Sequence, residues 1–383
     1  MENLNQRIAL LTQLRKELHK YPEVSGKEEK TAKRIVSFLE NYPPDEMVTQ
    51  VGNNGILAIY NGKTPGQTVL FRAELDALPI DEVNTFDHRS FIVGVSHKCG
   101  HDGHMAILCG LAMELHLNRP KTGSVILLFQ PAEEDGSGAE KVFKDPKFIY
   151  KPNFVFALHN IPGYKKNLIV VKNNTFSCAV NSLIIKLKGI TAHAGEPEKG
   201  INPALALAKI IMQFNQYIQA DISKDNYCLI TPIYSKMGKK AYGVSADTGE
   251  IHFTVRSDSN KKMQEIEKTL ENLATTIANE FQLKCKTYWT QGFRANENDV
   301  AAANQIRTAA KVHNFDVFEK ETPFTWGEDF GLFTQQFPGA MFGLGSGLTS
   351  PALHNPDYDF PDEIVATGVT VFLQISKQIT DAH

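Results

Sequence analysis

Cys99 and His101 stand one residue apart inside Ser96-His97-Lys98-Cys99-Gly100-His101-Asp102-Gly103-His104, a short run that holds a thiol, three imidazoles and a carboxylate. A thiolate and an imidazole in a glycine-interrupted turn can point into one pocket, and together they suit first-row divalent ions. A single cysteine or histidine is more often packed or solvated than ligating. The metal reading therefore needs further ligands, and the chain offers Glu74, Asp76, the adjacent Glu133 and Glu134, His159, and His354 in Leu353-His354-Asn355-Pro356. An adjacent acidic pair is usually a solvated face. After an apolar run and Pro131-Ala132, however, one carboxylate can bind metal while the other takes a proton from water.

These residues need elements to position them, and the hydrophobic spacing supplies candidates. Leu4, Ile8, Leu11, Leu14 and Leu18 recur at helical steps up to Tyr21-Pro22; a second helix with Ala32, Ile35, Val36 and Leu39 inward follows a Ser25/Glu28 capping box. Strand-like runs at 55–60, 68–73, 125–129 and 154–158 alternate with helical patterns such as 105–115, which predicts an α/β sheet. The last three runs end at Glu74 and Asp76, at Glu133 and Glu134, and at His159, the strand ends where α/β sheets hold ligands.

From about 179 the pattern changes to a strand at 182–187, a loop at 189–195 and a helix opened by Asn202-Pro203 with Leu205, Ala208, Ile211 (or Ile210) and Phe214 inward. A strand at 249–255 and a helix through Ile266, Leu270, Leu273, Ile277 and Phe281 follow. After Gly292 the α/β pattern resumes, with a helix at Ile306, Ala309 and Ala310, a strand at 341–344 and a closing helix at 364–379. The expected organisation is a catalytic domain of 1–178 and 293–383, with a mixed sheet flanked by helices, interrupted by an α+β insert at 179–292. The glycines at 343–347 lack the spacing for dinucleotide binding, and no nucleophile elbow supports a Ser-His-Asp site.

Composition narrows the partners. The 383 residues are 42% hydrophobic and 22% charged, with net charge −3 and pI near 6.5, which gives no electrostatic reason for nucleic acid or an anionic membrane. The polar start and the lack of any apolar run of about 18 residues predict neither secretion signal nor membrane span, so a cytoplasmic protein is expected. Cys99, Cys109, Cys178, Cys228 and Cys285 are odd in number and scattered, which suits a reducing compartment.

Leu18-His19-Lys20-Tyr21-Pro22-Glu23, Arg72-Ala73-Glu74-Leu75-Asp76-Ala77-Leu78-Pro79-Ile80, Cys99-Gly100-His101-Asp102-Gly103-His104, Gln130-Pro131-Ala132-Glu133-Glu134, Leu158-His159-Asn160 and Leu353-His354-Asn355-Pro356 resemble, in order, the successive motifs of the M20 metallopeptidase family. The subgroup they resemble comprises amidohydrolases: hippurate hydrolases, bacterial aminoacylases and plant auxin-conjugate hydrolases. The resemblance implies a catalytic domain with a dinuclear metal centre and a ferredoxin-like α+β lid domain that makes a homodimer. It makes Cys99, His101, Glu134, His159 and His354 the ligands of two divalent ions per subunit, zinc or manganese first, cobalt or nickel also compatible, and Glu133 the general base.

Where relatives carry His-x-Asp, Glu74 stands first and Asp76 third, so ligand duty passes to the Cys99 turn and Asp76 orients His101 or a neighbouring ligand. His193 resembles the lid histidine that crosses a dimer to hydrogen-bond the scissile carbonyl. Arg256 either resembles the arginine that receives a substrate carboxylate or is a solvated strand-end residue. The chain departs from the pattern at Gly243-Val244-Ser245-Ala246-Asp247, where relatives often have Asn in an Asn-Val-Ile-Pro-Asp run. The implied activity is hydrolysis of an N-acyl amino acid or related small amide conjugate by metal-activated water. A carboxypeptidase or dipeptidase acting on a short peptide is the alternative enzyme, and a non-catalytic metal-binding homologue the alternative of another class. With Cys99 a ligand, its thiolate is expected to be shielded when metal is bound and reactive beside His101 when metal is absent.

Overall fold

A computed structural model describes residues 4–381 and divides the chain into two compact units. One runs through Phe176 and takes in Asn296–Glu321 and the chain from Asp329; the other is Ser177–Ala295 with Thr322–Glu328. No helix among the described residues is long and apolar enough to cross a membrane.

The first unit is built on an eight-stranded mixed sheet whose order is Glu46–Val51, Gly55–Asn61, Thr122–Gln130, Thr64–Glu74, Phe154–Pro162, Gly339–Gly347, Ile169–Val171, Val317–Glu319. The four inner strands Thr122–Gln130, Thr64–Glu74, Phe154–Pro162 and Gly339–Gly347 run parallel, so their carboxyl ends share one edge. Glu74 sits beside Gln130, and His159 beside Gly343. These strands are buried on both faces and read as continuous apolar runs, as parallel strands under helices do. In the core Phe71 stacks on Phe156 and meets Phe372 at a tilt, each worth about 1.5–3 kcal/mol of burial.

His101–Leu117 is buried on all sides from His101 to Met113, which makes it a central helix. Gly110 brings it close to its neighbours: a Cβ there would lie 2.4 Å from Val369 Cγ2 and 2.8 Å from Leu11 Cδ1.

The expected capping box does not form. The second helix, Glu29–Leu39, is capped by Glu23, whose carboxylate accepts from Thr31 N–H at 2.7 Å and Thr31 Oγ1 at 2.9 Å. Ser25 instead donates to Asp76 at 2.7 Å, and Glu28 accepts from Gly26 N–H (2.7 Å), Asn54 (2.8 Å) and Ala132 N–H (2.9 Å).

The second unit carries a four-stranded antiparallel sheet in the order Cys228–Met237, Thr248–Ser257, Ala179–Lys188, Lys284–Phe293. With helices Ala204–Phe214 and Asn260–Glu280 the chain order is βαββαβ, a ferredoxin-like arrangement. Leu183, Ile185, Leu187, Ile251, Phe253 and Val255 alternate onto the helix-covered face. The first helix turns Ala206, Leu207, Ile210 and Phe214 inward, whereas Leu205, expected there, is 68% exposed and Ala208 also faces out.

Thr322–Glu328 lies in this unit and not with the sequence C-terminal to 293, because Cys178 N–H donates to Phe324 C=O at 3.0 Å and Arg256 Nη1 to Thr325 C=O at 2.8 Å. Two hydrogen bonds from residues distant in sequence leave no local signal of that membership.

Candidate metal centre

The Cys99 turn ends where helix His101–Leu117 begins, and Gly100 makes the junction. Its φ of +88° is left-handed, and a Cβ would fall 2.6 Å from Asn160 Oδ1, so both conformation and space demand glycine. The turn brings Cys99 Sγ to 3.5 Å from His159 Nε2, in the C-terminal half of strand Phe154–Pro162. His159 Nδ1 donates to Asn160 C=O at 2.9 Å, which aims Nε2 at the thiol. His101 Nδ1 donates to Asp76 C=O at 2.9 Å, with Asp76 Oδ1 3.5 Å away, and its Nε2 looks toward Glu134 Oε1 at 3.8 Å. His354 Nε2 lies 3.7 Å from Glu134 Oε2.

Ligand atoms of Cys99, His101 and His159, of Cys99, Glu134 and His354, and of His101, Glu133 and Glu134 each fall within 4.8 Å of one another. The sets overlap at Cys99, His101 and Glu134. A fourth group, Glu74 with His101 and His104, is already committed elsewhere: Glu74 pairs with Arg72, and His104 bonds Glu74 at 2.7 Å and Asn160 at 2.5 Å. Glu74 is thus part of a buried polar ladder running Asp329, Arg72, Glu74, His104, Asn160, Tyr358.

The turn Pro131-Ala132-Glu133-Glu134 is held open by contacts from both sides. Ala132 takes a φ of +55°, Glu134 N–H donates to Asp76 Oδ2 at 3.0 Å, and Glu133 Oε1 accepts from Asp329 N–H at 3.3 Å. Asp76 therefore touches His101, Glu134 and Ser25 at once.

Electrostatics favour cations here. Burial opposes charge on His101, but Glu74, the Asp76 hydrogen bond and Glu134 outweigh it and hold its pKa up at about 10. Burial, then Glu134 and Glu133, push the Cys99 thiol well above its usual range. The expectation of a reactive metal-free thiolate is thereby corrected: with carboxylates beside it and no solvent, the sulfur keeps its proton until positive charge arrives. His101 Nε2 is buried with no hydrogen-bond partner, an orphan that a ligated ion would satisfy. Thiol, imidazole and carboxylate donors fit divalent transition metals.

Behind the turn, His19 and Arg15 hold Asp102 through buried polar contacts to which the sequence assigned no role. His19 Nδ1 bonds Asp102 at 2.8 Å and Nε2 bonds Glu82 at 3.1 Å; burial opposes its charge, but Asp102 and Glu82 raise its pKa to about 9. Buried Arg15 reaches Asp359 (2.7 Å), Asp362 (2.9 Å) and Asp102 (3.4 Å). His19 and Arg72 are in motif segments already quoted, the one signal that could have found them; Arg15 offered none beyond its type.

His193 and Arg256 lie in the second unit. His193 is exposed on the short strand Ala192–His193, opposite Val244, and its Nδ1 accepts from Gly195 N–H at 3.0 Å. Arg256 is half-buried, and burial lowers its pKa. A Cβ at Gly243 would meet nothing within 4 Å, so no packing demands the glycine.

The family model for peptidase family M20/M25/M40 matches residues 70–378. The chain is 30% identical over 356 residues to N-acetyldiaminopimelate deacetylase of Exiguobacterium sibiricum, covering 92% of this chain and 94% of that one. It is 28% identical over 368 residues to N-acetylcysteine deacetylase of Bacillus subtilis, covering 96% of each. A Bacillus subtilis dinuclear metal-binding peptidase of the M20 family superposes with a TM-score of 0.85 at 26% identity, over 99% of this chain and 100% of that one.

Proposed function

The chain belongs to peptidase family M20/M25/M40 and is a hydrolase, and from that premise we propose that it cleaves the amide of an N-acyl amino acid carrying a small acyl group such as acetyl. The observation that carries this reading is a buried carboxylate, Glu133, next to a thiol, imidazole and carboxylate cluster at the carboxyl edge of the sheet. Cys99, His101, Glu134, His159 and His354 are the proposed ligands of two divalent ions, zinc or manganese in the first instance. Bound there, the ions supply positive charge that polarises the scissile carbonyl and lowers the pKa of water toward about 7.

Glu133 takes the proton of the attacking water and returns it to the leaving amine. Asp76, through the His101 and Glu134 contacts, keeps two ligand groups facing the centre. His193 donates a hydrogen bond to the carbonyl oxygen as charge develops, and Arg256 receives the substrate carboxylate. The deacetylase names of the relatives support the acyl-amino-acid class. A homodimer through the second unit is supported by its edge strand Cys228–Met237, with Ile233, Tyr234 and Met237 exposed, and by Leu205 and Met212 on the helix. The decisive test is a panel of N-acetyl amino acids against dipeptides, before and after metal removal. Turnover of the acetyl compounds that chelation abolishes is expected; turnover confined to dipeptides would move the assignment to the peptidase alternative.

A further inference from the structure

His354 differs from the other proposed ligands in how little holds it. Cys99, His101 and His159 are buried in a turn, a helix and a strand, whereas the His354 side chain is 53% exposed, its φ is +66°, and Asn355, Pro356 and Asp357 after it are exposed too. A non-glycine residue in the left-handed region within a solvent-facing loop does not hold its place through packing; it needs tethers.

Val83 N–H donates to Pro356 C=O at 3.2 Å and Asn84 Nδ2 to Asp357 C=O at 3.1 Å, and the two tethers nearest the ligand turn come from Lys98, the residue before Cys99. His354 N–H donates to Lys98 C=O at 2.8 Å, and Lys98 Nζ donates to Tyr358 C=O at 2.8 Å, so one residue grips the loop at both ends of a five-residue span. The Lys98 side chain is fully buried, and its ammonium is paired with the Glu82 carboxylate. Glu82 is itself fixed by Ser90 N–H at 2.6 Å and by His19 and Asn84 at 3.1 Å. Tyr358, gripped through its carbonyl, joins Asn160 through its hydroxyl, and Asn160 follows His159.

A buried ammonium is costly unless paired, and a methionine of similar length would fill the space without that cost. What methionine cannot do is hold the Tyr358 carbonyl and the Glu82 carboxylate together. Resting on the ligand set proposed above, we infer that Lys98 is a positioning residue that sets the His354 loop against the Cys99 turn, so that His354 meets its ion in a prearranged geometry.

The test titrates zinc alone into the metal-stripped full-length chain, by calorimetry with metal content confirmed, for wild type, His354→Ala, Lys98→Met, the double variant and Glu82→Gln. Lys98→Met weakens the zinc equivalent that His354→Ala weakens, by about 10- to 100-fold, the usual effect of removing a group that orients a ligand. The double variant binds no more weakly than His354→Ala alone, because Lys98 acts through His354. Backbone amides of 353–360 exchange faster in metal-free Lys98→Met than in metal-free wild type. Should Lys98→Met fail to fold, Glu82→Gln, which loosens the ammonium without removing it, gives a smaller weakening at the same equivalent. Wild-type zinc binding in the folded Lys98→Met variant (or in Glu82→Gln where that variant does not fold), or additivity with His354→Ala, overturns the inference. Zinc binding that His354→Ala leaves unchanged overturns the ligand set itself, a separate result.

Discussion

Glu133 and Glu134 adjoin in the chain but have different surroundings, and that difference supports their separate roles. Glu134 faces the rings of His101 and His354, at 3.8 and 3.7 Å, while Glu133 is steadied by the Asp329 N–H. Glu133→Gln keeps the shape and removes the basicity, so metal content is expected to stay at the wild-type level while turnover falls about 10²- to 10⁴-fold. Undiminished kcat in a fully loaded Glu133→Gln enzyme would end the general-base assignment. Arg72 presents the complementary case, a buried cation between Glu74 and Asp329. Arg72→Met removes the guanidinium from between two buried carboxylates, leaving Glu74 with His104 and Asp329 with Gln130 and the Ala139 N–H, and a loss of about 3–5 kcal/mol is expected in urea unfolding of the metal-free chain. A loss below about 1 kcal/mol would show that the carboxylates find other partners. The candidate ligands were legible because each sits in a short segment of chemically typed residues. Arg15 was not: a lone basic residue reads as solvated, and it gains its role only when packing brings Asp359, distant in sequence, to 2.7 Å; Arg72 and Lys98 stand inside typed segments, but nothing local shows that their charges are buried.

At the scale of elements, the inner strands and the long helices were readable because their apolar runs and three-to-four spacing reflect burial directly. Readings failed where polar side chains had a stronger tertiary option, as when Asp76 and Asn54 claimed Ser25 and Glu28 from the expected cap. They failed again on helix Ala204–Phe214, whose apolar residues continue onto a second, exposed face at Leu205 and Met212, so periodicity alone could not choose the inward side. Strand Cys228–Met237 went unread because Pro232 interrupts it, as is tolerated on a sheet edge. The most exacting element boundary is the start of helix His101–Leu117. Gly100→Ala places a Cβ against Asn160 in a left-handed backbone, so a stability loss of about 1–3 kcal/mol is expected together with weaker zinc binding. A Gly100→Ala variant with the wild-type melting temperature and metal content would show that the turn relaxes without disturbing Cys99 or His101.

At the scale of the whole molecule, the proposed reaction draws on Glu133 from one unit and His193 from the other. His193 is exposed on a two-residue strand of the second unit, where its Nδ1 accepts from Gly195 N–H. A group that donates to the developing oxyanion contributes in the transition state, so His193→Ala is expected to lower kcat by about 10²- to 10³-fold while metal content is unchanged. That result alone does not identify which subunit supplies the ring. In a dimer with shared sites, pairing a His193→Ala chain with a Glu133→Gln chain creates one site with both defects and one site with neither. Each parent is nearly inactive, and each heterodimer is then expected to recover about half the wild-type rate. In a dimer whose sites are self-contained, every site in the mixture keeps one defect and no activity returns. Native mass spectrometry verifies that subunits have exchanged, and a mixture that has exchanged yet remains inactive would assign His193 to its own chain's site or to none.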